Sequence, residues 1–137
     1  MTYVFDTNTI SYFLRGEGGV DNYFQQEIIE AGNSYAIPLI VVYEIRRWLF
    51  YKPTNQLRIF AREFNSLFEP VRNEAGISAD TWEKAADIYI TLKQKGQLIG
   101  DADILIAAYC LINNYTLVTN NTNDFNRIDG LKIVNWY

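Results

Sequence analysis

The sequence predicts an α/β fold, with a short central parallel sheet flanked by helices on both faces. Three observations predict it. Short β-prone runs alternate with longer stretches of helical periodicity along the chain. Those runs are apolar without a polar alternation, as in strands covered on both faces. Capping and turn residues separate the two kinds of segment.

Tyr3-Val4-Phe5 reads as a buried strand, and Asp6-Thr7-Asn8 after it favours a turn and a helix start. Val20 to Ala31 has helical character and stops at Gly32-Asn33. Tyr35-Ala36-Ile37, before Pro38, reads as a second strand, and Leu39 to Lys52 as a helix ending before Pro53. From Thr54 to Phe68 the apolar residues Leu57, Phe60, Ala61, Phe64 and Phe68 fall at helical steps, and Pro70-Val71 reads as a short extended piece. Ser78 is placed to cap a helix whose Trp82, Ala85, Ala86, Tyr89 and Leu92 form a core stripe, ending at Lys93-Gln94-Lys95-Gly96. Asp103 to Asn114 is apolar nearly all round, which predicts a central helix. Thr116 to Thr119 reads as a strand, followed by polar residues through Asp124, and Lys132 to Val134 as the last strand.

With 137 residues, 49% hydrophobic and 20% charged, the chain suits one domain, 1–137, that buries a core without disulfides. Cys110 is the only cysteine, so no internal disulfide forms, and its apolar neighbours read it as a small core residue. No signal-like start and no apolar run of membrane-spanning length is present, so the expected location is the cytoplasm. Histidine is absent, which excludes Ser/His/Asp triads, histidine bases and most zinc sites. Hydrolytic chemistry must rest on carboxylates, lysines or a hard metal ion.

A net charge of −4 runs against phosphate binding, but the charge is unevenly spread. From Ala31 to Arg62 the only acid is Glu44, among Arg46, Arg47, Lys52, Arg58 and Arg62. Bound cations would also reverse the local field of an acidic site.

Four segments carry acids to where this architecture brings them together. Asp6 follows the first strand, Glu44 lies in the helix after the second, Asp101 and Asp103 open the central helix, and Asp124 lies just after the strand Thr116 to Thr119. In an open α/β sheet that carboxyl edge is where ligands bind. Carboxylates converging without histidine or cysteine suit Mg²⁺, with Mn²⁺ as the alternative, and such a metal activates water and stabilises phosphoryl charge. Each acid also has a plain structural reading: Asp6, Asp101 or Asp103 as a helix cap, Glu44 as a solvated neighbour of Arg46 and Arg47, and Asp124 as a loop residue.

Val4-Phe5-Asp6-Thr7-Asn8, Tyr43-Glu44-Ile45, the run Ile99 to Ala108, and Leu117 to Thr122 with Asp124-Phe125 resemble, in order, the four motif blocks of PIN-domain toxins of the VapC type. Gly130-Leu131 and Asn135-Trp136 resemble the family's closing segment, so the match spans almost the whole chain. The resemblance implies a PIN-like three-layer fold and a magnesium-dependent endoribonuclease acting on RNA, with transfer RNA among the expected substrates. It implies that Asp6, Glu44 and Asp103 are the three core acids and metal ligands, Asp103 standing just ahead of Ile106-Ala107-Ala108. A fourth catalytic acid falls at Asp124, or at the position of Asn121, while Asp101 stands where relatives often carry other residues. Asn8 and Thr119 are expected to hold the acids or a metal-bound water through hydrogen bonds. The resemblance further implies a cognate VapB-type antitoxin that blocks the site, and toxin homodimers.

Two other readings compete. A haloacid-dehalogenase-like phosphatase needs a second Asp two positions after Asp6, where Asn8 stands. A non-catalytic phospho-receiver domain needs an acid pair at the first strand and a lysine after a late one, and neither is present.

After Glu44 the chain runs Arg46-Arg47-Trp48-Leu49-Phe50-Tyr51. Four consecutive large apolar residues cannot all face inward on a helix, so one aromatic, Trp48 or Phe50, is expected at the surface beside the arginines. Such a surface suits RNA at Arg46 and Arg47, and a partner helix or a stacked base at the aromatic.

Overall fold

The computed structural model describes all residues from Met1 to Tyr137. Four short strands, β1 (Thr2–Phe5), β2 (Ser34–Ala36), β3 (Thr116–Val118) and β4 (Lys132–Val134), form one sheet in the order β2-β1-β3-β4. All three pairings are parallel, with Phe5 opposite Val118 and Val118 opposite Val134. Tyr3, Val4 and Phe5 are all buried, as are Thr116, Leu117 and Val118. Because successive side chains point to opposite faces, both faces of the sheet are covered, as the unbroken apolar runs required.

One face is aromatic: the Phe5 ring lies 5.7 Å from Tyr35, 6.1 Å from Phe24 and 5.6 Å from Trp136, and Tyr3 lies 4.9 Å from Trp136. Val4 and its register partner Leu117 share the other face.

The helices are α1 (Thr7–Arg15), α2 (Val20–Phe24), α3 (Leu39–Phe50), α4 (Asn55–Phe68), α5 (Ala79–Gln94), α6 (Asp101–Asn113) and the single turn α7 (Thr122–Phe125). In α6 every residue from Ile104 to Cys110 is buried, so the all-round apolar pattern marked a central helix, and Cys110 is a core residue. The helix ends on Asn114 at φ 56°, a left-handed cap that asparagine tolerates.

The structure corrects four local expectations. Val20 to Ala31 is not one regular helix: α2 widens into a π-helical stretch, Gln25–Glu30. Pro70-Val71 lies in a 3₁₀ helix, Glu69–Glu74, where proline at the first turn costs no hydrogen bond. The polar residues through Asp124 include α7, whose apolar anchor is the fully buried Phe125. The buried stripe of α5 is Thr81, Ala85, Ile88 and Leu92, so Trp82 is 57% exposed and Ala86 is also outside the core. The inward face is the one packed on α6, and Ser78 caps the helix, its side chain accepting from the Thr81 amide at 3.2 Å. Ser78→Ala is expected to lower stability by about 1 kcal/mol, read as a fall of about 3 °C in Tm. An unchanged melt would show that the cap is not holding α5.

Candidate active site

β1 leads through α1 to β2 on one side of the sheet, and β3 leads to β4 on the other. The carboxyl ends of β1 and β3 therefore flank the switch point where such sheets open a crevice. Asp6 and Thr119 are the residues that follow those two ends, carried there side by side by the Phe5–Val118 register.

Asp6 is 3% exposed. Its backbone is extended and its carboxylate accepts from the Thr9 amide at 2.8 Å, so it is the N-cap of α1. The plain structural reading of Asp6 therefore holds together with its place at the crevice. Thr9 also donates through its hydroxyl to the Val118 carbonyl at 2.9 Å, tying α1 to the end of β3. Burial pushes the Asp6 carboxyl above its ordinary pKa; hydrogen bonds from Thr119 and Thr9 pull it back, and Glu44 adds repulsion.

Glu44 is half-buried on α3 and accepts from the Thr7 hydroxyl at 2.6 Å. Asp103 lies in the first turn of α6 and its pKa is raised to about 6 by burial, then by the charges of Asp6, Glu44 and Asp124. Asp6, Glu44 and Asp124 thus all lie near enough to Asp103 for their charges to act on it, and Glu44 acts on Asp6 as well. Asp124 differs, because Arg127 pairs with it at 3.4 Å and Asn121 donates to it at 3.1 Å. Asp6, Glu44 and Asp103 have no lysine or arginine within ion-pair distance.

The remaining expected site residues are less closely joined. Asp101 is exposed in the first turn of α6, whose N-cap is Gly100, so neither Asp101 nor Asp103 caps that helix. Asn8 is exposed and makes no side-chain hydrogen bond to the acids. Thr119 is fully buried and its hydroxyl also accepts from the Asn121 amide at 3.0 Å. Arg46 and Arg47 are exposed on α3, and of the two candidate aromatics Phe50 is the exposed one, at 47%. Trp48 is half-buried, 6.0 Å from Phe60 and beneath the Arg15 guanidinium. The sequence reading passed over Thr7, Thr9 and Arg127. The first two stand in plain sight in Asp6-Thr7-Asn8-Thr9, but only the fold shows that their hydroxyls reach residues 37 and 109 positions away.

No three acidic side chains stand close enough together to form a ready-made metal cage. The donor chemistry nevertheless fits a hard divalent cation: three carboxylates repel one another without a cationic partner, and Mg²⁺ takes one or two carboxylates while keeping several waters. Thr7→Val should free Glu44 and lower any metal-dependent cleavage by about tenfold, the usual scale for a group that orients a ligand. Thr7→Ser should restore it. Full activity in Thr7→Val would make the contact incidental.

A family model described as PIN domain matches residues 3–131. The chain is 33% identical over 140 residues to ribonuclease VapC2 of Rickettsia felis, covering 99% of this chain and 98% of that one. It is 33% identical over 115 residues to ribonuclease VapC1 of Methanocaldococcus jannaschii, covering 82% and 79%. The chain belongs to the PIN-domain family. Its relatives there are VapC ribonucleases, and the crystal structure of R. felis VapBC2 bound to promoter DNA superposes with a TM-score of 0.84 at 30% identity over the whole of both chains. DNA-bound VapBC of Salmonella typhimurium shares the fold, with a TM-score of 0.82 at 24% identity over 100% and 99% of the two chains. The expected family and three-layer fold therefore hold. No helix is long and apolar enough to cross a membrane.

Proposed function

We propose that residues 1–137 act as one nuclease domain, a metal-dependent endoribonuclease that is the toxin of a toxin–antitoxin pair. The observation that carries the reading is the uncompensated set Asp6, Glu44 and Asp103 at the crevice between β1 and β3. VapC ribonucleases related over nearly the whole chain support it.

Asp6, Glu44 and Asp103 would hold Mg²⁺ or Mn²⁺. When bound, the ion lowers the pKa of water and stabilises charge on a phosphoryl oxygen. The chain's own residues fix the donors. Thr9 and Thr119 orient the Asp6 carboxylate, Thr7 orients Glu44, and the first turn of α6 carries Asp103. Arg127 and Asn121 hold Asp124 at the edge of the cluster, where it tunes the field and positions water. With no histidine in the chain, no imidazole serves as a proton acceptor.

The partner is a VapB-type antitoxin that covers the crevice, and the toxin acts as a homodimer. Incubation of the purified chain with total RNA and Mg²⁺, with and without the product of an adjacent small DNA-binding reading frame, tests the reading. Endonucleolytic products that disappear with that partner are expected. Intact RNA across all conditions would overturn it.

A further inference from the structure

Between α5 and the turn that follows α7 the protein has a cavity of about 200 Å³. Its apolar lining is Ile88 and Leu92 of α5, Leu111 of α6 and Ile128; Leu111 is half-buried and the other three are buried. Charges of both signs share the same cavity, Lys84 and Asp87 from α5 and Arg127 and Asp129 from the turn. Lys84, Asp87 and Asp129 form no ion pair, although Lys84 and Asp87 stand three residues apart on one helix. Arg127 is engaged on one side only. Its Nη1 donates to the Gln97 carbonyl at 3.3 Å, and its Nη2 lies 3.4 Å from Oδ1 of Asp124. A surface pair at that distance is weak, and the guanidinium keeps other N–H donors.

We propose that this cavity binds a free amino acid with an apolar side chain, its carboxylate held by Lys84 and Arg127 and its ammonium by Asp87 and Asp129, and that the bound carboxylate draws Arg127 away from Asp124. The effect on Asp124 rests on the nuclease reading above, whereas the binding stands without it.

Size and charge together select this ligand. An apolar cavity of about 150 Å³ is large enough for benzene, so the lining here takes one ring or one branched chain. An anion without an ammonium would meet Asp87 and Asp129 unpaired, and an amine without a carboxylate would meet Lys84 and Arg127. A free amino acid carries both charges on one carbon, beside its apolar group. The fork of Arg127 also matches a carboxylate in shape, which lets the ligand compete with Asp124. Asp124, no longer offset by Arg127, then adds negative charge to the field that acts on Asp103.

Isothermal titration calorimetry of the whole chain with L-phenylalanine and L-leucine tests the site. Both should bind, while 3-phenylpropionate, 2-phenylethylamine and glycine, which lack the ammonium, the carboxylate and the side chain, should each bind at least about tenfold more weakly. Lys84→Gln and Asp129→Asn should each weaken L-phenylalanine on the order of tenfold. Neither residue is in the core, and unchanged melting curves without ligand confirm that the variants are folded. At subsaturating Mg²⁺, saturating L-phenylalanine should raise the rate of RNA cleavage by about fivefold. Asp124→Asn, which has no charge for Arg127 to offset, should not respond. No binding of either amino acid, or equal binding of the acid or the amine, would overturn the site, while wild-type cleavage of RNA leaves the nuclease reading standing. Binding without a change in rate would overturn the link to Asp124. If the wild-type chain cuts no RNA, the nuclease reading falls and the link with it, and calorimetry alone decides the site.

Discussion

Asp6→Asn, Glu44→Gln and Asp103→Asn are each expected to lower RNA cleavage on the order of 100-fold or more, because each removes a negative oxygen donor while keeping the shape of the side chain. Asp101→Asn should have little effect, since Asp101 is exposed outside the coupled cluster. Asp124→Asn should fall between, since Arg127 already offsets its charge. Initial rates on one RNA, normalised to folded protein, rank the five. A wild-type rate in any of the first three would take that residue out of the site, and an Asp124 loss as large as that of Asp6 would bring Asp124 into contact with the metal.

Asp103→Asn carries a stability signature of opposite sign. The Asp103 pKa is raised to about 6 from 3.8, so the folded state binds more protons than the unfolded state between those values. The contribution of Asp103 to stability is therefore present below about pH 4 and is lost as pH rises through about 6. Asp103→Asn removes that penalty at neutral pH, and after allowance for solvent screening of a partly exposed group the gain is about 1 kcal/mol, or about 3 °C in Tm. A melt in chelator that falls by several degrees on Asp103→Asn would contradict the repulsion that defines the cluster.

Excess chelator is expected to abolish cleavage, and added Mg²⁺ or Mn²⁺ to restore it. The acids can activate water only weakly by themselves, and the chain has no histidine to take over. Binding of the ion should also be visible as stabilisation, about 2.7 kcal/mol at a hundredfold excess over Kd. That gain should shrink in Asp103→Asn, where the ion has less repulsion to relieve. Cleavage that survives chelation would sink the mechanism, provided the Asp6→Asn protein prepared in parallel is inactive.

Much of the fold was legible because its signals are local. Tyr3-Val4-Phe5 and the run from Ile104 to Cys110 are apolar all round, and burial on every side is the one environment that pattern fits. The acids were legible by position, since Asp6 and Asp103 stand at element ends that the alternation of strands and helices sends to one edge. What was not legible depends on rotation about a helix axis or on distant pairing. Trp82 was placed inside because a stripe one residue to either side of the true one looks equally apolar. The packing of α5 on α6 decides between them. The hydroxyls of Thr7 and Thr9 are ordinary residues until α3 and β3 supply their acceptors.

The strand order also governs when the site comes into being during synthesis. β1 sits between β2 and β3, and one of its two partners, together with the whole of α6, emerges from the ribosome only after about a hundred further residues. The bond from Thr9 to Val118 spans 109 positions. A nascent or truncated chain that stops before Thr116 has no second wall for the crevice and no Thr119 to steady Asp6. A crevice with both walls therefore forms only once the chain has been made through Thr119, and copies that stop short of it lack the assembled site.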